Sequence, residues 1–329
     1  MIHMPLHQNN SHEDHLRESL DPVTNLKHRL LMEYQDKTLD EVFCGEEIET
    51  TYGATYLIKS RDKIDFCLKK CGEIKESMKS DLKLLPGIGP ATESRLKKEG
   101  FTDMEKLQDH PNFAGKAEMF LSKLEDEDSS SIMELVKKNY PSSHERVLEC
   151  AGYKEPEHFI FMDIETMGLN HQPVILMGEA TLKKDEIEVR QYLCRDLGEE
   201  PAVLSGITSH LCEESAFVSF NGASFDLPYI KNRFQYFQIE QDLNRPHFDL
   251  YHYSRRFWGS NLPNCRLTTI ERHLFNIERV DDVPGSHIPG YYKTYLEEGN
   301  IGPLVPIIEH NRMDIVTLAL ILSRMHDEI

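Results

Sequence analysis

The chain lacks the features that would assign it to several large classes. It has no run of about 18 apolar residues, the length a membrane-spanning helix requires. Its first residues, MIHMPLHQNNSHEDH, contain no apolar stretch of the kind a secretory signal needs, so no membrane association and a cytoplasmic location are expected. There is no GxxxxGK[ST] phosphate loop and no internal repeat. Seven cysteines are scattered along the chain, and only Cys67 and Cys71 lie close together. A zinc knuckle needs a second such pair, so reduced thiols are expected, with Cys67 and Cys71 on one helix face. Net basic charge is also missing: the formal charge is −19, which weighs against a protein that coats phosphate backbones.

What is present is the profile of a globular protein of two domains: 329 residues, 39% hydrophobic and 28% charged. Residues 1–24 read as a polar flexible tail carrying His3, His7, His12 and His15. Residues 25–150 read as a mainly helical domain, with GATYLI as one short strand. Residues 151–329 alternate strands and helices in the manner of an α/β domain with a mixed sheet. The acidic stretch EDEDSSS, residues 125–131, reads as a surface loop, with Ser131 and Glu134 capping the next helix.

Within residues 81–107, DLKLLPGIGPATESRLKKEGFTDMEKL, Pro86 and Gly87 break one helix and Pro90 suits the first turn of the next. Gly100 fits its C-terminal cap, and Thr102 with Glu105 fits a capping box for the helix after it. The segment resembles the helix–hairpin–helix motif. On that reading Gly87, Ile88 and Gly89 form a turn that lets backbone approach a phosphate, and Lys97 and Lys98 lie further along the helix.

The second half holds carboxylates where apolar residues dominate. Asp163 and Glu165 are two apart on the strand HFIFMDIET, hence on one face. Asp226 follows the turn in FNGASFDLPYI. Asp314 lies in an apolar terminal helix, four residues after His310 and so on the same helical face. Buried carboxylates sharing a pocket repel one another, and divalent cations with a preference for oxygen, Mg²⁺ or Mn²⁺, remove the conflict. Two such ions suit phosphodiester displacement, and a nearby histidine suits proton transfer from water.

In order, DIETMGL, FNGASFDLPYI and EHNRMDIVTLA resemble the three exonuclease motifs of the DEDD superfamily. Together with DLYHYSRRFW and LTTIERHLFNIER, they make residues 158–324 similar to the YprB-type ribonuclease H-like exonuclease family. The resemblance implies an α/β fold with a ribonuclease H-like mixed sheet flanked by helices, and 3′–5′ exonuclease activity on nucleic acid. It implies two divalent cations held by Asp163, Glu165, Asp226 and Asp314, with His310 as general base. Thr166, Leu169, Asn221, Phe225 and Tyr229 would position the 3′ nucleotide, with Leu169 against the terminal base. The third motif departs from the family: a histidine stands at the spacing where tyrosine is usual, which leaves the catalytic subclass and the placement of the water open. DNA is favoured over RNA on account of the hairpin. The alternatives are a nucleic-acid-binding protein with an idle nuclease fold and a ribonuclease H-like endonuclease. Arg255, Arg256, Lys231 and Arg233 are expected to form a basic rim that offsets the acidic total.

Overall fold

The computed structural model describes residues 21–125 and 129–329. The tail through residue 20, with its four histidines, and the centre of the acidic loop lie outside the described residues. Pro22 already opens a helix, Pro22–Glu33, whose cap is Asp21: its carboxylate accepts from the Val23 and Thr24 N–H groups. Helix Ser129–Lys137 starts before Ser131, so the expected cap there falls inside the helix.

The described strands form a seven-stranded sheet in the order β1-β2-β5-β4-β3-β6-β7. They are β1 Gly45–Thr50, β2 Gly53–Lys63, β3 Phe159–Thr166, β4 Val174–Lys183, β5 Glu186–Leu193, β6 Ala216–Ser219 and β7 His247–Asp249. The first five strands pair antiparallel, while β6 runs parallel to β3 and β7 parallel to β6. This is the expected mixed sheet flanked by helices. The expected boundary near residue 150 moves. GATYLI is part of β2, whose Tyr56 pairs with Leu193 of β5, so residues 45–63 extend the sheet rather than belonging to a helical domain. The Pro22–Glu33 helix packs on the same body through Leu30, and Tyr291 Oη donates to the Val23 carbonyl at 2.6 Å.

The helical part is therefore shorter than expected. It runs through helices Cys71–Lys79, Pro90–Lys98, Met104–Leu107, Ala114–Glu125, Ser129–Lys137 and Glu145–Glu149. Cys71 opens the first of these, so Cys67 precedes it and the two do not share a helix face. None of the seven cysteines is in a disulfide. Helix Met104–Leu107 is capped by Asp103, which accepts from Lys106 N–H, and not by Thr102. Beyond helix Asp226–Phe237 the chain forms β7 and helices Leu250–Trp258 and Ile288–Glu298.

Side chains of β3 alternate between two cores. Phe159 and Phe161 join the core shared with the helical part, while Ile160, Met162 and Ile164 join the one on the other face. Asp163 and Glu165 continue the Phe159–Phe161 parity, and the terminal helix Leu304–Glu328 lies against that strand. No described helix is long and apolar enough to cross a membrane.

Candidate active site

The carboxylates gather where β3 ends. Asp163 sits opposite Gly178 of β4, and Gly178 leaves the room the terminal helix needs: a Cβ there would meet Asn311 Oδ1 at 2.2 Å. Asn311 fills that space. Its Nδ2 donates to Asp163 Oδ2 at 2.8 Å and to the Asp163 carbonyl at 3.1 Å, while its Oδ1 accepts from Gln191 Nε2 at 2.9 Å. Asp163 is thus held by a buried amide that is itself held.

Asp226 is the first residue of helix Asp226–Phe237, where the exposed N–H groups favour a carboxylate. Its Oδ1 accepts from the Ile164 N–H at 3.2 Å, so it takes over from β6 as partner to the β3 edge. The turn leading into it has Asn221 at φ 66° and is pinned by Asp249, which accepts from Asn221 N–H at 2.7 Å and Ala223 N–H at 3.1 Å.

Asp314 and His310 come from the terminal helix, with His310 Nε2 3.7 Å from Asp314 Oδ2. His310 Nδ1 lies 2.7 Å from Asp282 Oδ1. Asp314 is paired with Arg279, whose Nε also donates to Glu271 at 2.8 Å. Glu271 is buried at the start of a π-helical turn, Glu271–Phe275, and accepts from Thr317 Oγ1 at 2.6 Å. Such turns recur at functional sites.

The electrostatics follow from crowding. Burial, then the charges of Asp314, Glu165 and Asp226, push the Asp163 carboxyl far above its usual range. Burial also drives Glu165 to about 8 against the pull of His310, and drives Asp226 to about 7 against its backbone hydrogen bonds. Burial raises Asp314 as well, although His310 and Arg279 work the other way. For His310, burial disfavours the cation, but the Asp282 hydrogen bond and the charges of Asp314 and Glu165 outweigh it and lift the group to about 9. Four carboxyls that resist ionisation are short of positive charge, and Arg279 with protonated His310 supplies only part of it. The donor set is all oxygen, which fits hard divalent cations.

A sequence profile of the RNase H superfamily matches residues 160–326. The chain belongs to the RNase H superfamily. It is also 30% identical over 189 residues to the uncharacterized protein YprB of Bacillus subtilis (strain 168). That match takes in 55% of this chain, and the chain spans about half the length of that relative, 45% of it. The fold is therefore a nuclease fold, and the site just described lies inside the RNase H match.

The RNase H domain places the expected nucleotide-binding residues beside this cluster. Leu169, Phe225 and Tyr229 line a cavity of about 280 Å³ together with Ser224, Asn232 and Arg233. Leu169 is 70% exposed, and the Phe225 and Tyr229 rings lie 5.3 Å apart. Tyr229 Oη donates to the Gln172 carbonyl at 2.7 Å, and Thr166 Oγ1 to the Gly168 carbonyl at 2.9 Å, so both shape the loop that carries Leu169. Asn221 is exposed and contributes the turn. Arg233 corrects the expected basic rim: it is buried and its Nε donates to Glu200 at 2.6 Å. Lys231, Arg255 and Arg256 are exposed.

In the helical part the helix expected to run up to Pro86 ends already at Lys79, and only the 3-10 turn Leu82–Leu84 leads into the Pro86–Gly89 turn. Gly87 has φ 96°, and Gly89 precedes helix Pro90–Lys98 without a side-chain cap. Ile88 is buried in the core beneath, Lys97 pairs with Glu93 at 3.0 Å, and Lys98 is exposed. Sequence reading missed Lys116, whose Nζ donates to the Pro86 carbonyl at 2.8 Å and so brings a cation to the turn from helix Ala114–Glu125. It also missed Asn311, Arg279, Asp282 and Glu271. A polar Asn311 beside His310 in an apolar helix was a usable signal. Arg279 and Glu271 both lie in LTTIERHLFNIER, but nothing local ties them to Asp314.

Proposed function

We propose that the chain is a metal-dependent 3′–5′ exonuclease that hydrolyses phosphodiester bonds at nucleic-acid 3′ ends, with DNA favoured over RNA. Two divalent cations, Mg²⁺ or Mn²⁺, would be held by Asp163, Glu165, Asp226 and Asp314. The observation that carries the reading is the convergence of four carboxylates, Glu165 and Asp226 buried and Asp163 and Asp314 half-buried, from β3 and two helices, in a pocket short of positive charge. When bound, such a pair of ions stabilises the attacking and leaving oxygens of the displacement.

The chain's own groups divide the remaining work. Asn311 fixes the rotamer of Asp163, and the Ile164 N–H fixes Asp226. Asp282 takes the Nδ1 side of His310, which leaves Nε2 directed to the pocket as the atom that accepts a proton from water. Leu169 and Phe225 offer apolar surface to a terminal base in the adjoining cavity, a sequence-tolerant contact. The hairpin adds a second phosphate contact through the Pro90 helix and Lys116, which raises avidity for long substrates. Because the whole chain carries −19, binding is weak and strongly salt-dependent.

One observation favours a second reading, an idle nuclease fold used for binding: Arg279 already neutralises Asp314. A single assay decides. The chain is incubated with 5′-labelled single-stranded and duplex DNA and RNA, in Mg²⁺, in Mn²⁺ and in chelator. A ladder that shortens stepwise from the 3′ end, absent in chelator, is expected. Internal cuts at early times indicate an endonuclease, and intact substrate under both metals indicates the idle fold.

A further inference from the structure

β3, which carries Asp163 and Glu165 near its end, pairs with β6 at its start, and a different donor set lies there. His158 closes the 3-10 turn Pro156–His158 immediately before β3. Cys212 and Glu214 sit in the turn before β6, closed by Ser215 N–H on the Cys212 carbonyl at 3.3 Å. The parallel register Phe159↔Ala216 sets that turn beside His158. One ligand atom from each of His158, Cys212 and Glu214 lies within 4.8 Å of the others.

The main chain around them is tied down. His158 N–H donates to the Glu155 carbonyl at 3.0 Å. Arg245 Nε donates to the Cys212 carbonyl at 2.9 Å, Cys212 N–H to Ser215 Oγ at 3.0 Å, and Lys154 Nζ to the Glu214 carbonyl at 2.6 Å. Sheet pairing and these bonds fix the main chain that carries the three donors before any ligand arrives, which lowers the cost of organising them. Cys212 Sγ lies 3.3 Å from Ser215 Oγ and within 4.8 Å of a Glu214 carboxylate oxygen, so a metal entering there takes the place of the thiol proton.

We propose that His158, Cys212 and Glu214 form a zinc site, with water in the fourth position, that clamps the starts of β3 and β6. Nitrogen, sulfur and carboxylate oxygen are the three donors zinc accepts in tetrahedral sites. The thiolate excludes Mg²⁺ as the natural occupant, since that ion selects oxygen. The site is distinct from the carboxylate pocket. His158 and Asp163 stand five residues apart on an extended strand, about 17 Å at roughly 3.3 Å per residue. The clamp joins segments that are distant in the chain and stabilises the folded state by mass action as zinc binds. It stands whether or not the chain cuts nucleic acid.

The test uses Co²⁺ as a spectroscopic substitute for Zn²⁺, added to the full chain under a non-thiol reductant. Wild type is expected to show a sulfur-to-cobalt charge-transfer band, displaced by one equivalent of Zn²⁺. Cys212→Ser is expected to lose the band, and His158→Ala to weaken Co²⁺ binding at least tenfold. Both variants are expected to lose the zinc-dependent rise in Tm while melting like wild type without metal. All three residues lie at the surface or half-buried, and none is in the carboxylate pocket. A band that survives Cys212→Ser, cobalt binding with no sulfur band, or a zinc-dependent Tm shift equal in wild type and His158→Ala overturns the proposal.

Discussion

The carboxylate pocket draws its side chains from a strand end, a helix start and a terminal helix that are far apart in the chain, whereas the hairpin around Gly87 is made by consecutive residues. The pocket is half to fully buried and electrostatically strained: its carboxyls are pushed up by burial and by one another. The hairpin is exposed on its turn side and relaxed, with only Gly87 in a conformation that other residues avoid. Strain that persists in a fold marks a place where something outside it is expected to bind. The pocket therefore predicts large effects on activity with paradoxical effects on stability, and the hairpin predicts small effects on binding alone.

The largest expected effect is at Asp163. Asp163→Asn keeps the shape and the Asn311 contact side but removes one of four crowded carboxyls. Cleavage of labelled DNA is expected to fall to background. The metal-free protein is expected to gain stability, by about 2–4 °C in Tm if the relief is ~1 kcal/mol. The pH dependence sharpens the point. Glu165 titrates near 4.5 unfolded and about 8 folded, so its contribution is fully present below 4.5 and is lost as pH rises towards 8. Asp226, raised to about 7, acts with the same sign. Metal-free wild type should lose stability across that window, added Mg²⁺ should restore more of it at higher pH, and Asp163→Asn should flatten the slope. A thermal melt series from pH 5 to 8 checks all three, and a loss of stability in Asp163→Asn would break the contrast with the hairpin.

Next comes His310. His310→Ala is expected to lower kcat by roughly 10²–10⁴-fold, the scale of a lost general base. With His310 as base, the rate of the wild type rises with pH until the imidazole is neutral. Asp282 is one of the groups that raise its pKa, so Asp282→Asn should move the midpoint of that rise to lower pH. A pH–rate profile that does not move assigns Asp282 a purely structural part.

How far each region could be read in advance follows from the same contrast. Asp163 and Glu165 were legible because a period of two and an apolar strand make paired carboxylates conspicuous, and His310 with Asp314 because four residues make one helical turn. The hairpin was legible because Pro86, Gly87 and Pro90 are local punctuation. What was hidden is long-range pairing. β2 looked like a strand, but nothing in GATYLI says that its Tyr56 lies opposite Leu193. Arg233 looked like a free surface cation because Glu200, its partner, is distant in sequence. Asn311 holds Asp163 through a gap that only Gly178 opens, a fact of three segments at once.

Arg279 is the hidden residue with the largest stability effect. It bridges buried Glu271 and Asp314. Removing one partner of a buried pair leaves the other charge unpaired, so Arg279→Ala is expected to cost about 3–5 kcal/mol in urea unfolding. The same change frees Asp314. Mg²⁺ affinity, read by calorimetry without substrate, should therefore rise relative to the loss of stability. If affinity falls in step with stability, Arg279 supports the metal site rather than competing with it.

The smallest effect is expected at Gly89, and it isolates the hairpin from folding. A Cβ at Gly89 meets nothing within 4 Å, and its φ of −94° suits any residue. Neither packing nor backbone conformation requires glycine there, unlike Gly87, whose φ of 96° makes Gly87→Ala strained whatever the space. Gly89→Ser supplies a favourable N-cap, so Tm should hold or rise slightly. The added hydroxyl also takes up the N–H groups a phosphate would use, and the Cβ obstructs its approach. Affinity for long DNA should drop by a similar factor for every sequence, while hydrolysis of a very short substrate stays unchanged. Lys116→Ala provides the electrostatic counterpart and should lower the slope of log affinity against log salt by about 1. Unchanged affinity for long DNA in both variants would leave the hairpin a packing element, and the preference for DNA would then have to come from the carboxylate pocket and the Leu169 cavity.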